Sequence, residues 1–140
     1  MQAPAAPGTY ALVLILDRPR RIAVGHLGTF DFPAGRYVYV GSALGPGGLA
    51  ARVARHLRRE KRLYWHVDYL LRYARVAEVW IRPGLGRREC AWAQAAAALP
   101  GATIAVPRFG ASDCRCAGHL VCCTAKAVWQ EAERCFEASV

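Results

Sequence analysis

A cluster of basic side chains between residues 52 and 62 is the first feature of this sequence that could do chemistry. Six Arg or Lys residues and one Glu lie in this stretch, so it supplies an excess of five positive charges out of a net charge of +9. Arg52, Arg55, His56 and Arg59 follow the i, i+3, i+4, i+7 spacing of one helical stripe. Guanidinium groups match phosphate oxygens bidentately, so the cluster predicts a polyanionic partner, with nucleic acid ahead of a membrane surface.

A group of cysteines near the C-terminus is the second such feature. Cys114, Cys116 and His119 have the residue types of a structural zinc site, with Cys122 or Cys123 as a fourth ligand. The Cys-x-Cys spacing is tighter than the usual separation of two to four residues, which weakens the zinc interpretation. The pair 122–123 is also explained by small apolar side chains packed in a strand.

Length and composition limit the function classes. The chain has 140 residues, 54% of them hydrophobic and 21% charged, which is typical of one globular domain and excludes a disordered or collagenous chain. The longest strongly apolar run, 11–16, is far shorter than the ~20 residues of a membrane span. The first nine residues carry no basic segment typical of a secretory signal. We therefore expect a cytoplasmic protein without a membrane partner, in which the cysteines are thiols rather than disulfides.

The elements that must position these residues begin with strands. Residues 1–7 are Ala- and Pro-rich and predict a disordered arm. The runs 9–16, 21–27 and 36–40 predict three consecutive strands in an antiparallel meander, the first two joined as a hairpin and the second and third connected by 28–35. In the third strand, Tyr37 and Tyr39 share one face because strand side chains alternate.

Helical patterns follow a loop with four glycines at 41–48. A helix is predicted over 49–62, with Leu49, Val53 and Leu57 as its core stripe. Further elements are predicted as a short helix at 64–73, a strand at 76–82, a helix at 87–99, strands at 103–106 and 119–123, and a last helix at 125–138. The pattern predicts a single α/β (α+β) domain over 8–140, in which helices flank a small central antiparallel sheet of three or more strands.

Two short motifs carry a resemblance to a known family. Gly8-Thr9-Tyr10 lies on the first strand and Tyr39-Val40-Gly41 on a later one, before a glycine-rich loop and a helix with Arg52 and His56. This order resembles the GIY-YIG endonuclease domain over roughly residues 8–99. The segments 37–43 and 65–71 further resemble a little-characterised subfamily that occurs alone or fused to base-excision glycosylases. The resemblance implies a metal-dependent endonuclease acting on DNA, with DNA repair as its setting and RNA as an alternative substrate.

The resemblance also implies roles for individual residues. Tyr10 corresponds to the family's general base, Arg52 and His56 to groups that hold the phosphate, and Tyr39 to a group that orients the substrate. Glu89 corresponds to the ligand of Mg²⁺ or Mn²⁺. The remaining residues expected at the substrate are two glycines that leave room for the phosphate and three arginines along the flanking backbone: Gly8, Gly41, Arg55, Arg58 and Arg59.

Each of these residues also has a simpler structural interpretation. Tyr10 could be a core aromatic residue, and the two glycines could be ordinary strand-end residues. His56 could be one more solvated member of the basic face. Glu89 could be an acidic residue that complements the dipole at the start of the 87–99 helix.

Two departures from the family pattern stand out. Tyr10 and Tyr39 are 29 residues apart, whereas the family joins its two motifs by a short hairpin, so an extra strand must be accommodated between them. The pair His66 and Asp68 has no counterpart in the pattern, and residues at i and i+2 do not share a helix face.

Two rival functions also stay open: a non-catalytic basic module that binds nucleic acid, and a zinc-stabilised interaction domain.

Overall fold

The fold is seen in a computed structural model, which describes residues 3–85, 88–98, 102–104, 106–110 and 118–123. The strands are β1 (Gly8–Leu16), β2 (Arg20–Val24), β3 (Gly28–Phe32), β4 (Gly35–Ala43), β5 (Arg75–Pro83), β6 (Ala102–Ile104) and β7 (Leu120–Cys123). The helices are α1 (Gly48–Leu57), α2 (His66–Leu70) and α3 (Glu89–Ala97), with one 3₁₀ turn at Gly25–Leu27. The predicted last helix, 125–138, lies outside the described residues.

A five-stranded antiparallel sheet forms the centre of the domain, in the order β5-β1-β4-β7-β6. Strand β1, which lies between β5 and β4, is almost entirely apolar and buried along its length, as expected of a strand covered on both faces. The prediction of an α+β domain built on a small antiparallel sheet is confirmed.

The meander predicted for the first three strands is wrong. Strand β2 pairs with β3, which lies in the segment predicted to be a connector, and the two form a separate hairpin. Strand β1 pairs instead with β4, in a register that sets Tyr10 opposite Gly41 and Leu12 opposite Tyr39. The extra hairpin therefore accounts for the long separation of the two motifs without separating their strands.

Two apolar clusters cover the two faces of the sheet. On one face, Tyr10, Leu12 and Leu14 of β1 pack with Leu49 of α1 and Leu70 of α2. On the other face, alternate residues of β1 and β4 pack against one side of α3, with Ala11, Val38, Val40, Trp92 and Ala96 in contact. Helices α1 and α2 thus lie on one side of the sheet and α3 on the other.

Helix α1 begins in a glycine turn and ends earlier than predicted. Gly47 and Gly48 have φ of 81° and 59°, the left-handed region that favours glycine. The helix ends at Leu57 rather than at residue 62, because Arg58 is already extended. Leu49 and Val53 are buried as predicted, but Leu57 is 48% exposed, so its predicted place in the core is wrong.

The segment before β1 contacts the start of α1. The main-chain oxygens of Ala6 and Pro4 accept hydrogen bonds from the N–H groups of Leu49 and Ala50, at 2.8 and 2.9 Å. These N–H groups belong to the first turn of α1, which has no intrahelical partners for them. The main chain before β1 therefore supplies acceptors for the start of α1.

None of the helices in the part of the chain that the structure describes is both long and apolar enough to span a lipid bilayer.

Candidate active site

A cleft of about 210 Å³ lies at the end of the sheet where β1 begins and β4 ends. Four of the predicted catalytic residues line it, namely Tyr10, Tyr39, Arg52 and Glu89. They come from four different elements: β1, β4, α1 and α3. The predicted substrate-side residue Gly41 lines the same cleft.

Tyr10 is 1% exposed and lies on β1 opposite Gly41. Its hydroxyl occupies the space that a Cβ at position 41 would need, so the glycine is required for the tyrosine's position. The Tyr10 hydroxyl is 2.7 Å from Nε2 of His56. Burial raises the pKa of Tyr10 above its usual value of 10, and the nearby Arg52 guanidinium acts in the opposite direction. The proton therefore stays on the phenol at neutral pH.

His56 is buried and 2% exposed, so its interpretation as a solvated member of the basic face is wrong. Burial lowers the pKa of His56 to about 3; Asp68 opposes this effect, and the cations of Lys61, Arg55 and Arg52 add to it. The imidazole is therefore neutral at pH 7, and one of its two ring nitrogens is unprotonated. His56 does not line the cleft and is linked to it by its contact with Tyr10. This position differs from the direct contact with phosphate that the resemblance implied.

Arg52 presents its guanidinium to the cleft from α1. Its Nη1 donates a hydrogen bond to the main-chain oxygen of Ser42 at 3.1 Å, and its Cζ lies 4.7 Å from the ring centroid of Trp65. The positive charge of the guanidinium acts to lower the pKa of the Tyr10 phenol, against the larger effect of burial.

The two tyrosines of β4 have different environments. Tyr39 is 5% exposed, lines the cleft, and packs with ring centroids 6.5 Å from Tyr10 and 6.2 Å from His56. Burial raises the pKa of the Tyr39 phenol, so it acts as a neutral hydrogen-bonding group. Tyr37 does not line the cleft, and its hydroxyl donates to the main-chain oxygen of Pro33.

Glu89 is the first residue of α3 and brings the one carboxylate among the described residues that line the cleft. Its negative charge raises the pKa values of Tyr10 and Tyr39 after the larger effects of burial, which shows that it lies near both phenols. Its negative charge in the first turn also interacts favourably with the dipole of α3. Glu89 can therefore stabilise the helix and line the cleft at the same time. The described residues contain no cluster of three or more potential metal ligands.

Gly8 has a packing role rather than a place in the cleft. A Cβ at this position would lie 2.6 Å from the main-chain oxygen of Arg82 and 2.7 Å from Cδ1 of Leu49. Gly8 is also not among the residues that line the cleft. The glycine therefore allows α1 and β5 to approach β1. It does not lie where it could leave room for a phosphate in the cleft.

Arg55 is paired with the buried carboxylate of Asp68. Its Nη1 and Nη2 donate to the two carboxylate oxygens of Asp68, at 3.0 and 2.9 Å. Arg58 and Arg59 are exposed and line a second, larger cleft of about 850 Å³, which also contains Lys61 and Arg75. The basic cluster thus divides into Arg52 at the small cleft, the partly exposed Arg55 paired with Asp68, and two arginines at the second cleft.

The remaining predicted residues lie beside the cleft or outside the described residues. Nδ1 of His66 accepts a hydrogen bond of 2.8 Å from the Gly110 N–H, and burial lowers the pKa of His66. His119 is buried, lines the cleft and lies 3.8 Å from the Cys90 sulfur through its Nε2. Cys114 and Cys116 lie outside the described residues, so the predicted zinc site stays a prediction.

Sequence reasoning gave no role to two residues, Trp65 and Asp68. Trp65 lines the cleft and supports Arg52 through a cation–π contact. Asp68 is fully buried at the centre of the basic cluster. A carboxylate a few residues after six cations was a signal for an internal ion pair, because buried charges require partners.

The fold and the cleft define a class: an α+β domain in which a buried tyrosine–histidine pair, an arginine and a carboxylate meet at one end of an antiparallel sheet. A family model described as "Domain of unknown function DUF123" matches residues 9–140. The chain therefore belongs to the DUF123 family. No curated protein and no solved structure shows significant similarity to the chain.

Proposed function

We propose that the protein is a metal-dependent endonuclease that hydrolyses phosphodiester bonds in DNA. The observation that carries this proposal is the common cleft of Tyr10, Tyr39, Arg52 and Glu89. These are the residues for which the resemblance to GIY-YIG endonucleases implies a general base, a substrate-orienting group, a phosphate clamp and a metal ligand. The same resemblance favours DNA repair as the setting.

The cleft supplies the groups that phosphodiester hydrolysis requires. A phosphodiester is an anion and repels nucleophiles, so the site needs a cation near its non-bridging oxygens and a base for the attacking water. Arg52 is fixed by Ser42 and Trp65, which prepares its guanidinium for a phosphate without further ordering. Tyr39 lies beside Tyr10 and narrows the space in which the reacting group can sit.

The base in this proposal is the pair of Tyr10 and His56 rather than the phenol alone. A buried phenol with a raised pKa cannot lose its proton to solvent at neutral pH. His56 is neutral, and its Nε2 lies 2.7 Å from the phenolic oxygen. Tyr10 can therefore pass its own proton to His56 while it takes one from water, so that no free phenolate has to form first.

Glu89 would hold one Mg²⁺ or Mn²⁺ ion. A single carboxylate fits these ions when waters and substrate phosphate oxygens complete the coordination, because Mg²⁺ gives up its waters reluctantly. The bound ion would supply charge stabilisation at the phosphate and the leaving oxygen. The contribution of the chain is to fix Glu89 at the start of α3, in the cleft that Arg52 also lines.

Charge favours DNA as the substrate class. The chain carries a net charge of +9, and 17 of its 19 basic residues are arginines. The exposed Arg58 and Arg59 follow α1 and extend the positive surface beyond Arg52. A long polyanion can contact Arg52 and these arginines together, whereas a small phosphate ester would use only the cleft.

The test is a nicking assay on plasmid and branched DNA with Mg²⁺. The proposal expects metal-dependent nicking by the native protein and rates lower by roughly 10²-fold or more for Tyr10→Phe, Arg52→Ala and Glu89→Gln. Two matched controls are Tyr37→Phe, which removes a hydroxyl outside the cleft, and Glu78→Gln on β5. Both controls are expected to nick DNA at the native rate.

Two outcomes would contradict the proposal. Full activity in all three cleft variants would remove the assigned residues from catalysis. Salt-sensitive DNA binding by a folded native protein, without cleavage at any metal concentration, would favour a non-catalytic nucleic-acid-binding module instead.

A further inference from the structure

Asp68 is a buried carboxylate with an unusually complete set of donors. Its Oδ2 accepts hydrogen bonds from the N–H groups of Tyr64 and Trp65, both at 2.8 Å, and from Nη2 of Arg55 at 2.9 Å. Its Oδ1 accepts from Nη1 of Arg55 at 3.0 Å. Burial alone would raise the pKa of Asp68, but these hydrogen bonds hold it below the usual range. The carboxylate is therefore ionised at neutral pH.

The Oδ1 side of this carboxylate faces His56. Oδ1 lies 4.0 Å from His56 Nδ1, and both side chains are almost fully buried. Nδ1 has no hydrogen-bond partner among the residues that the structure describes. A separation of 4.0 Å is longer than a hydrogen bond, so the attraction between the two groups is electrostatic in this arrangement.

The other groups around His56 make Asp68 distinctive. Tyr10 and Tyr39 approach the imidazole from the sheet, Arg52 and Arg55 lie on the same helix, and Lys61 donates to the His56 main-chain oxygen at 2.6 Å. Among the described charged groups that act on His56, the three basic side chains disfavour an imidazolium, and Asp68 favours it. Of these charged groups, Asp68 is therefore the one that would stabilise a positive charge on the His56 imidazole.

We propose that Asp68 is the positioning residue for the Tyr10–His56 pair. Its carboxylate keeps the imidazole proton on Nδ1, so that Nε2 is free to accept the phenolic proton, and it offsets the positive charge that then develops on the ring. The catalytic part of this inference rests on the proposed function. The tautomer of His56 is a property of the resting protein and does not depend on it.

The proton balance of the step is complete. The oxygen of water forms a bond to phosphorus while one of its protons moves to the Tyr10 oxygen. The phenolic proton moves to His56 Nε2, and the bond from phosphorus to the leaving oxygen breaks with its electron pair on that oxygen. His56 is left as an imidazolium beside ionised Asp68, and it later returns the proton through Tyr10 to the leaving oxygen or to solvent.

The test measures the tautomer of His56 by ¹⁵N NMR on the full chain. The shifts of the two ring nitrogens distinguish an N–H from an unprotonated nitrogen, and the His56→Gln spectrum identifies the His56 signals. In the native protein we expect the proton on Nδ1. In Asp68→Asn, an amide nitrogen next to Nδ1 would donate to it and move the imidazole proton to Nε2, where it blocks transfer from Tyr10.

A matched control is Asp31→Asn, which changes an exposed carboxylate paired with Arg21 and should leave the His56 signals unchanged. A native protein with its proton on Nε2 would overturn the inference, and this measurement needs no variant. An unchanged tautomer in folded Asp68→Asn would overturn it as well. If Asp68 had only a structural role, the tautomer of His56 would be the same in folded Asp68→Asn as in the native protein.

The nicking assay separates this inference from the proposed function. We expect Asp68→Asn to lower kcat by roughly 10²-fold or more with little change in KM for DNA, because the phosphate clamp is intact. A native protein that never cleaves DNA would contradict the proposed function but leave the tautomer result standing. A folded Asp68→Asn protein with native kcat would contradict the positioning role alone.

Discussion

Gly41 lies directly opposite Tyr10 across the β1–β4 pair, and the Tyr10 hydroxyl fills the space where a side chain at position 41 would begin. The glycine thus determines where the phenol sits relative to His56. This relationship links a backbone position on one strand to the proposed chemistry of a side chain on its neighbour.

The substitution Gly41→Ala should therefore displace the Tyr10 ring. We expect the free energy of unfolding to fall by roughly 1–3 kcal/mol, as for other added methyl groups in a packed interior, and DNA nicking to fall with it. Urea denaturation and the nicking assay measure the two effects. In the control Gly45→Ala, where a Cβ meets nothing within 4 Å, the free energy of unfolding should stay within about 0.5 kcal/mol of the native value. Equal losses of stability in the two variants would contradict this prediction.

The stability of the fold should depend on pH through His56. Its pKa is about 3 in the folded protein and 6.5 in the reference state, so between these values the unfolded chain binds a proton that the folded chain does not. The contribution is fully present above pH 6.5 and is lost as the pH falls, at about 1.4 kcal/mol per pH unit. Urea denaturation between about pH 7 and pH 5 measures this slope.

The variant His56→Gln should flatten the slope, because its amide can still accept from Tyr10 but does not titrate in this range. His66, whose pKa is also lowered, contributes in the same direction and should account for part of the remaining slope. The control His26→Gln changes an exposed imidazole and is expected to leave the slope as it is. A slope that is the same in His56→Gln and the native protein would be inconsistent with a neutral buried His56.

The segment before β1 should stabilise α1. Deletion of residues 1–6 removes the main-chain oxygens of Pro4 and Ala6, which accept from Leu49 and Ala50. We expect the free energy of unfolding to fall by about 0.5–2 kcal/mol, the range typical of removing a helix N-cap. Deletion of residues 1–2 keeps both acceptors and serves as the control. Thermal or urea unfolding that gives the same stability for both deletions would show that these hydrogen bonds contribute nothing.

The arginines after α1 should contribute to DNA affinity rather than to the chemical step. The experiment uses Tyr10→Phe protein, in which the proposed function expects cleavage to be lost. In this background, Arg58→Gln with Arg59→Gln should reduce the steepness with which the logarithm of the DNA-binding constant falls with log salt. The expected reduction is roughly 0.9 for each DNA phosphate that is no longer neutralised. Arg21→Gln on β2, whose guanidinium pairs with Asp31, is the matched control and should change this slope less. Fluorescence anisotropy at several salt concentrations gives the slopes, and unchanged slopes would exclude the second cleft from the DNA surface.

Local patterns predicted the strands that carry the cleft. Period-two and apolar runs located β1, β4 and β5, and the motif order pointed to Tyr10, Tyr39, Arg52 and Glu89, which line one cleft. The strands could be predicted because each depends on residues that are neighbours in sequence, whereas the four site residues came from the resemblance to GIY-YIG endonucleases. The segment of β3 was predicted to be a connector, although Phe30 and Phe32 keep the alternation of a strand.

Features that depend on tertiary packing could not be predicted in this way. Helical periodicity put His56 on a stripe with three arginines but could not show that Tyr10 and Asp68 bury that edge of the helix. The exposure of Leu57 follows from the end of α1 at that residue, which neither glycine nor proline marks in the sequence. Strand pairing likewise depends on the whole sheet, so the hairpin of β2 and β3 was not apparent.

The side chains that line the small cleft are supported from opposite faces of the sheet. Tyr10 and Arg52 are anchored by the apolar cluster under α1 and α2, whereas Glu89 is carried by α3, which packs on the opposite face around Trp92. Substitutions under α3 can therefore shift the carboxylate without disturbing the phenol and imidazole, and the reverse also holds. Such an arrangement lets the anchoring of the carboxylate and the anchoring of the phenol and guanidinium vary independently during evolution or in the laboratory.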